Sequence, residues 1–153
     1  MAAPIVQFQN AQNNGQVTTW DVGTWDAGSV STDTTLLIWN NRGGTTAVSD
    51  MINCTITTKD SAGGDTGELV VGRWIEVKVD SMNETTFTPV GGGTTKTIQG
   101  GGSAGAGTIK GTVNNGADTN VTNYAKVTLH ANVPTTATAG NVDFLTRVAY
   151  QFT

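Results

Sequence analysis

Apolar and polar residues alternate along most of this chain, and no long window repeats apolar residues at the three-and-four spacing of a helix. In residues 51–59, Ile52, Cys54 and Ile56 alternate with polar side chains, which is the period of a strand with one buried face. Residues suited to tight turns, as in Asn40–Gly44, end these stretches. The pattern predicts eight or nine short strands, at Ile5–Phe8, Val17–Val22, Thr34–Trp39, Met51–Lys59, Leu69–Val79, Phe87–Val90, Thr94–Ile98, Tyr124–Val133 and Val142–Phe152.

The composition supports an all-β fold in a single domain, residues 1–153. Threonine occurs throughout and suits pleated strands, while 20 glycines indicate many turns. Many short strands with regular turns are typical of an antiparallel β-sandwich. Residues 91–107 are predicted to form a long, flexible glycine-rich loop, and residues 1–10 an N-terminal arm. A linker between two domains is the alternative for 91–107, but the segment after it is too poor in apolar residues to fold alone.

The charge balance excludes some partners. The net charge is −4, and the eight basic residues are scattered singly, whereas a nucleic-acid binder clusters its Lys and Arg. No stretch approaches the roughly 18 apolar residues of a transmembrane helix, so no membrane partner is expected. The first residues carry neither a basic region nor an apolar run, which predicts synthesis in a cytoplasm without a signal peptide.

Residues that could carry chemistry are few. His130, the only histidine, falls on the polar side of a strand with no nucleophile pattern near it, and is predicted to be a surface residue. Cys54 lies among apolar strand residues and is predicted to pack in the core. Asp60, Asp65 and Glu68 could bind Ca²⁺, but they lack the spacing of a dedicated calcium loop, so a solvated turn is favoured. We therefore expect no catalytic residue, metal site or cofactor.

Three segments carry a resemblance to a known group of proteins. Trp20–Ser29 and Leu36–Gly44 have the turn and strand pattern of immunoglobulin-like domains, and Val133–Gly140 with the strand after it resembles the last hairpin of such domains. The chain is similar to the immunoglobulin-like β-sandwiches of tailed-bacteriophage virion proteins, over residues 17–80 and 124–152. The resemblance implies an immunoglobulin-like sandwich with a docking or display role in a particle.

The four tryptophans are the main candidates for contacts with a partner. Simple alternation cannot place all four inward, although one core filled by all of them is the alternative. We predict Trp25, in a turn, and Trp74, at a sheet edge, as interface residues because tryptophan is enriched in binding hot spots. Ile5 and Phe8 of the N-terminal arm are the other interface candidates.

The function expected from the sequence is a non-enzymatic structural protein of a tailed phage or phage-like particle. Capsid decoration in many copies is the first expectation, and a tail or baseplate component is an alternative. The expected partners are capsid or tail subunits and copies of the chain itself, reached by the arm, the loop or strand addition at a sheet edge. A second alternative is a carbohydrate-binding module for bacterial cell-surface glycan, with Trp25 or Trp74 stacking on the sugar. A hydrolase is least favoured because acid–base residues are sparse.

Overall fold

The computed structural model describes residues 1–153 and confirms an all-β fold with eight strands in two antiparallel sheets. One four-residue helix and two single turns of 3₁₀-helix, Asp80–Met82 and Val121–Asn123, complete the regular structure, and no helix has the length and apolar character needed to cross a membrane. The strands are β1 (Val6–Asn10), β2 (Thr34–Asn40), β3 (Ile52–Asp60), β4 (Ile75–Val79), β5 (Thr88–Val90), β6 (Lys96–Thr97), β7 (Tyr124–Ala131) and β8 (Phe144–Gln151), and the helix is α1 (Glu68–Val71).

The strand order is that of an immunoglobulin-like sandwich with one position unfilled by this chain. The first sheet has the order β1-β2-β7-β4-β5, and the second has the order β6-β3-β8. In constant-type immunoglobulin domains the sheets are A-B-E-D and C-F-G. Strands β1, β2, β7 and β4 correspond to A, B, E and D, while β3 and β8 correspond to C and F. No strand of residues 1–153 lies beyond β8, where strand G would pair.

The main core lies between the two sheets, as alternation predicts. Ile38 of β2, Ile56 of β3, Ile75 of β4 and Val127 of β7 are all fully buried in one cluster of 18 residues. Cys54 belongs to the same cluster, so its predicted core position is confirmed. Burial of these side chains is the largest favourable contribution to folding.

A second buried cluster lies on the face of the five-stranded sheet opposite the main core. It consists of Leu37, Trp39 and Tyr124, and the rings of Trp39 and Tyr124 are 4.8 Å apart. The indole Nε1 of Trp39 donates to Asn13 Oδ1 at 3.0 Å, and the Asn13 amide donates to the carbonyl of Gly116 at 2.8 Å. The turns that contain Asn13 and Gly116 therefore cover Trp39, which is 0% exposed.

Two predicted strands differ from the structure. Val17–Val22 forms no strand; Gln16 makes a single bridge to Gln9, and the chain then runs on as an irregular segment. Leu69–Val79 is divided, because residues 68–71 form α1 and the backbone turns at Arg73, whose φ is 53°, before β4 begins. A run of apolar residues this short does not distinguish a buried helical turn from a strand.

The glycine-rich segment and the N-terminal segment are both held in the fold. Within residues 91–107, Gly92 N donates to the carbonyl of Thr58 at 2.9 Å, and Gly100 N donates to that of Thr108 at 2.8 Å. The N-terminal segment is likewise bound, since the carbonyl of Ile5 accepts a hydrogen bond from Asn41 N at 2.9 Å and β1 pairs with β2. Both segments therefore make backbone hydrogen bonds to the rest of the fold.

Candidate functional site

The outer edge of β8 is the one long sheet edge that the chain leaves uncovered. Strands β5 and β6 have three and two residues, and a tight turn at 91–94 joins their ends. The five-residue edge of β1 is partly covered, because the carbonyl of Phe8 accepts a hydrogen bond from Val17 N at 2.9 Å. Strand β8 has eight residues, and no backbone group of another segment bonds to its outer side. Most proteins protect such an edge, since it is a template for pairing with another chain.

The pairing with β3 determines which backbone groups of β8 are free. Cys54 and Thr58 of β3 direct their backbone groups away from β8, because their carbonyls accept from Ile98 N and Gly92 N. The odd-numbered residues of β3 therefore bond to β8, in pairs such as Thr57 with Arg147. The alternate residues of β8 point their N–H and C=O groups outward, which leaves those of residues 144, 146, 148 and 150 unpaired.

The side chains of β8 are incompletely covered on both faces. Burial alternates along the strand, with Phe144, Val148 and Tyr150 half-buried on the inner face and every outer-face residue exposed. Leu145 on the outer face is 47% exposed. Val142 and Phe152, which flank the strand, are 45% and 48% exposed. Apolar side chains thus surround the free backbone groups.

A cleft of about 1180 Å³ lies beside this edge, between β1 and β8. Phe8 of β1 and Phe144 of β8 are among its lining residues, and residues 17–27 form part of its wall. Trp20 enters from this segment, with its ring 5.8 Å from that of Phe144 in a T-shaped arrangement and its Nε1 donating to Thr34 Oγ1 at 3.1 Å. The irregular segment therefore fills part of the space between the two sheets on this side.

The four predicted interface residues occupy different environments. Trp25 is 38% exposed at the cleft, and its indole Nε1 donates to the carbonyl of Val22 at 2.6 Å. Phe8 is half-buried against the core, and Ile5 is 56% exposed. Trp74 is only 8% exposed and belongs to the main core, away from the surface where the sequence places an interface. Trp25, Phe8 and Ile5 remain accessible on the side of β1 and the cleft.

His130 is not the surface residue predicted from the sequence. It is 8% exposed and stacks on Phe87, with 3.9 Å between ring centres. Its Nδ1 lies 3.0 Å from an Asp33 carboxylate oxygen, and its Nε2 lies 2.7 Å from one of Glu76. No serine, threonine or cysteine side chain hydrogen-bonds to the ring. The histidine therefore links β7 to Glu76 of β4 and to Asp33, which precedes β2, and contacts no nucleophile. The sequence did not indicate this cluster, because its members are distant along the chain.

The three carboxylates considered for Ca²⁺ do not converge. Asp60 accepts hydrogen bonds from the Thr66 hydroxyl and from Gly64 N, and these bonds lower the pKa of Asp60 to about 2. Asp65 pairs with Lys59, and Glu68 instead accepts two hydrogen bonds from Thr138. Asp60 and Asp65 therefore close contacts within one turn, whereas Glu68 binds a residue 70 positions away, and the three share no site.

Cys54 has the character of a packing residue. It is fully buried, and desolvation raises the pKa of its thiol to about 11. The reactive thiolate is therefore disfavoured at neutral pH. The residue contributes to the core and is not accessible to a reactant.

The sequence did not identify the outer edge of β8 as the candidate site. Both faces of Val142–Phe152 carry apolar residues, which was a usable signal for a strand with incomplete cover. Strand addition was expected, but it was assigned to no particular strand. No protein-family model matches this sequence, and no curated protein matches it significantly.

Proposed function

We propose that this chain is a non-enzymatic structural protein that joins a larger assembly by adding a strand of another chain to the outer edge of β8. The observation that carries the proposal is the uncovered eight-residue edge with half-buried apolar side chains on its inner face. An added strand would satisfy the outward N–H and C=O groups and cover these side chains in one step.

The edge has few of the features that keep natural sheets from pairing. It contains no proline and no lysine, and no charged side chain points inward from it. Arg147 is its one charged residue, and the register shift in the β3–β8 pairing lies near the end of the strand, between Ile52 and Thr55 of β3. An edge of this kind favours association in a protein that functions in many copies.

The assembly proposed is a phage or phage-like particle. The resemblance of Trp20–Ser29 and Leu36–Gly44 to immunoglobulin-like virion domains supports this setting. Decoration of a capsid is our first proposal, and a place in the tail or baseplate is the second. In either place the partners are virion subunits and copies of the chain, and the sandwich acts as a rigid spacer between contacts.

A proline in β8 should exclude the chain from its particle. Thr146→Pro removes an N–H that points away from β3, so the fold should be retained while an added strand loses a hydrogen bond and meets the ring. We expect the variant's copy number per particle to fall at least about 10-fold, corresponding to a loss of about 1.4 kcal/mol. Mass spectrometry of particles purified from cells that carry the gene measures this number, and separation of capsids from tails locates the chain.

The matched control is Thr97→Pro at the edge of β6. Its N–H also points away from β3, because the neighbouring Ile98 N bonds to the carbonyl of Cys54. Thr97→Pro should enter particles at the wild-type level. Absence of the wild-type chain from purified particles, or equal incorporation of the two variants, contradicts the proposed function.

Glycan binding is the second candidate, and the partial exposure of Trp25 beside the cleft favours it. In that function Trp25 would stack on a sugar, and Trp74 could not, because it is buried. Isothermal titration with bacterial cell-wall polysaccharide distinguishes the two candidates. We expect no binding heat; binding that Trp25→Ala abolishes would favour the glycan-binding module.

A further inference from the structure

We propose that the strand added to β8 is β8 of a second copy, paired antiparallel about a two-fold axis with Leu145 opposite Leu145. This inference rests on the proposed function and names its partner. Strand G of an immunoglobulin domain lies antiparallel to strand F, and β8 occupies the F position. Two copies of β8 would therefore each take the G position of the other and join two three-stranded sheets into one of six strands.

The free backbone groups restrict the register. Residues 144, 146 and 148 direct their N–H and C=O groups outward, so they must meet even-numbered residues of the second copy in hydrogen-bonded pairs. With Leu145 on the axis, residue 144 is opposite 146. Residues 142 and 143, which precede β8, would extend the strand on pairing and lie opposite 148 and 147. The odd-numbered residues then form the non-hydrogen-bonded pairs, in which side chains approach more closely.

The charges of Arg147 in β8 and of Asp143, which immediately precedes β8, distinguish this register from its alternatives. Asp143 and Arg147 have no ion pair and no side-chain hydrogen bond within the chain. With Leu145 on the axis, Asp143 of each copy is opposite Arg147 of the other, on both sides of the Leu145 pair. A register with Arg147 on the axis would oppose two arginines, which destabilises a sheet pair. Only the Leu145 register places Asp143 of one copy directly opposite Arg147 of the other.

The same register covers the exposed apolar side chains. On the outer face the two Leu145 side chains, each 47% exposed, would contact each other. On the inner face Val148 would lie beside Val142 of the second copy, and Val142 is 45% exposed. Cross-strand apolar pairs and opposite-charge pairs both stabilise antiparallel sheets. The pairing thus uses the exposed valine and leucine together with both unpaired charges.

Charge reversal tests the register. Arg147→Asp opposes two aspartates and Asp143→Arg opposes two arginines, so each should weaken dimerisation by roughly 10-fold in sedimentation equilibrium. The double variant Asp143→Arg/Arg147→Asp exchanges the charges and should restore the wild-type dimer. Lys126→Asp is the control, because it makes the same charge change as Arg147→Asp at an exposed site of β7, in the other sheet. It should leave the dimerisation constant unchanged.

The contrary outcomes distinguish a failure of the register, of the pairing with a second copy and of the proposed function. A dimer that Thr146→Pro abolishes but neither charge reversal weakens overturns this register. A wild-type chain that stays monomeric, yet enters particles in a way that Thr146→Pro prevents, overturns pairing with a second copy and leaves the proposed function intact. A dimer that neither Thr146→Pro nor charge reversal affects overturns the inference, and particles that accept Thr146→Pro as readily as Thr97→Pro overturn the proposed function as well.

Discussion

Trp39→Ala should lower the free energy of unfolding by about 4 kcal/mol, the largest effect that we expect from a single substitution in this chain. Trp39 is fully buried, and its replacement leaves a cavity between β2 and the turns that cover it. The change also removes the hydrogen bond from its indole to Asn13 and the ring over which the Arg42 guanidinium lies at 5.7 Å. Urea denaturation followed by circular dichroism measures the difference.

Trp25→Ala is the matched control for this substitution. Its side chain is 38% exposed and lies at the cleft, so we expect its loss to cost less than about 1 kcal/mol. Equal destabilisation by the two variants would contradict the difference in burial between Trp39 and Trp25. A small effect of Trp39→Ala alone would contradict the burial described above.

Gly91→Ala should destabilise the protein by about 3 kcal/mol. A methyl group at this position would lie 2.1 Å from the carbonyl oxygen of Val70, which belongs to the backbone of α1. Backbone atoms cannot rotate aside as the end of a side chain can, so either α1 or the turn after β5 must shift. Thermal unfolding measured beside the wild type gives the size of the effect.

Gly93→Ala provides the control within the same turn. No atom lies within 4 Å of the added methyl group, and Gly93 has no left-handed backbone conformation. We expect this variant to match the wild type or to gain up to about 1 kcal/mol through the lower entropy of its unfolded chain. Equal loss of stability in both variants would refute the close packing of Gly91 on α1.

Most of the strands and the main core could be predicted from the sequence because both depend on local alternation. Ile52, Cys54 and Ile56 follow the two-residue period of a strand, and the structure places all three on β3. Burial of one face per strand then requires a second sheet, which leads directly to a sandwich. The class of the fold follows from these local rules.

The remaining features depend on contacts between distant residues, which alternation does not encode. His130 was predicted to be exposed because its neighbours are polar, yet Glu76 of β4 and Asp33, just before β2, hydrogen-bond to it. Gly91 was expected to be flexible, although it allows α1 to pack closely. In each case the residue's environment is decided by a partner from another part of the chain, which the neighbouring residues do not reveal.

The candidate site was the least predictable feature because an edge is a property of sheet order. The sequence shows that Val142–Phe152 is a strand, but only its pairing shows that β3 lies on one side and that no strand lies on the other. The N-terminal residues, which the sequence favoured for contacts, are used in β1 and in pairing with β2.

Residue-resolved hydrogen exchange in β8 tests the central claim most directly. Amides of residues 145, 147 and 149 bond to β3 and should be protected both in the free chain and in the assembly. Amides of residues 144, 146 and 148 should exchange rapidly in the monomeric chain, at concentrations too low for dimerisation, and become protected in the assembled particle, as read by mass spectrometry after quenching. Rapid exchange of residues 144, 146 and 148 in the particle would show that no strand is added to β8.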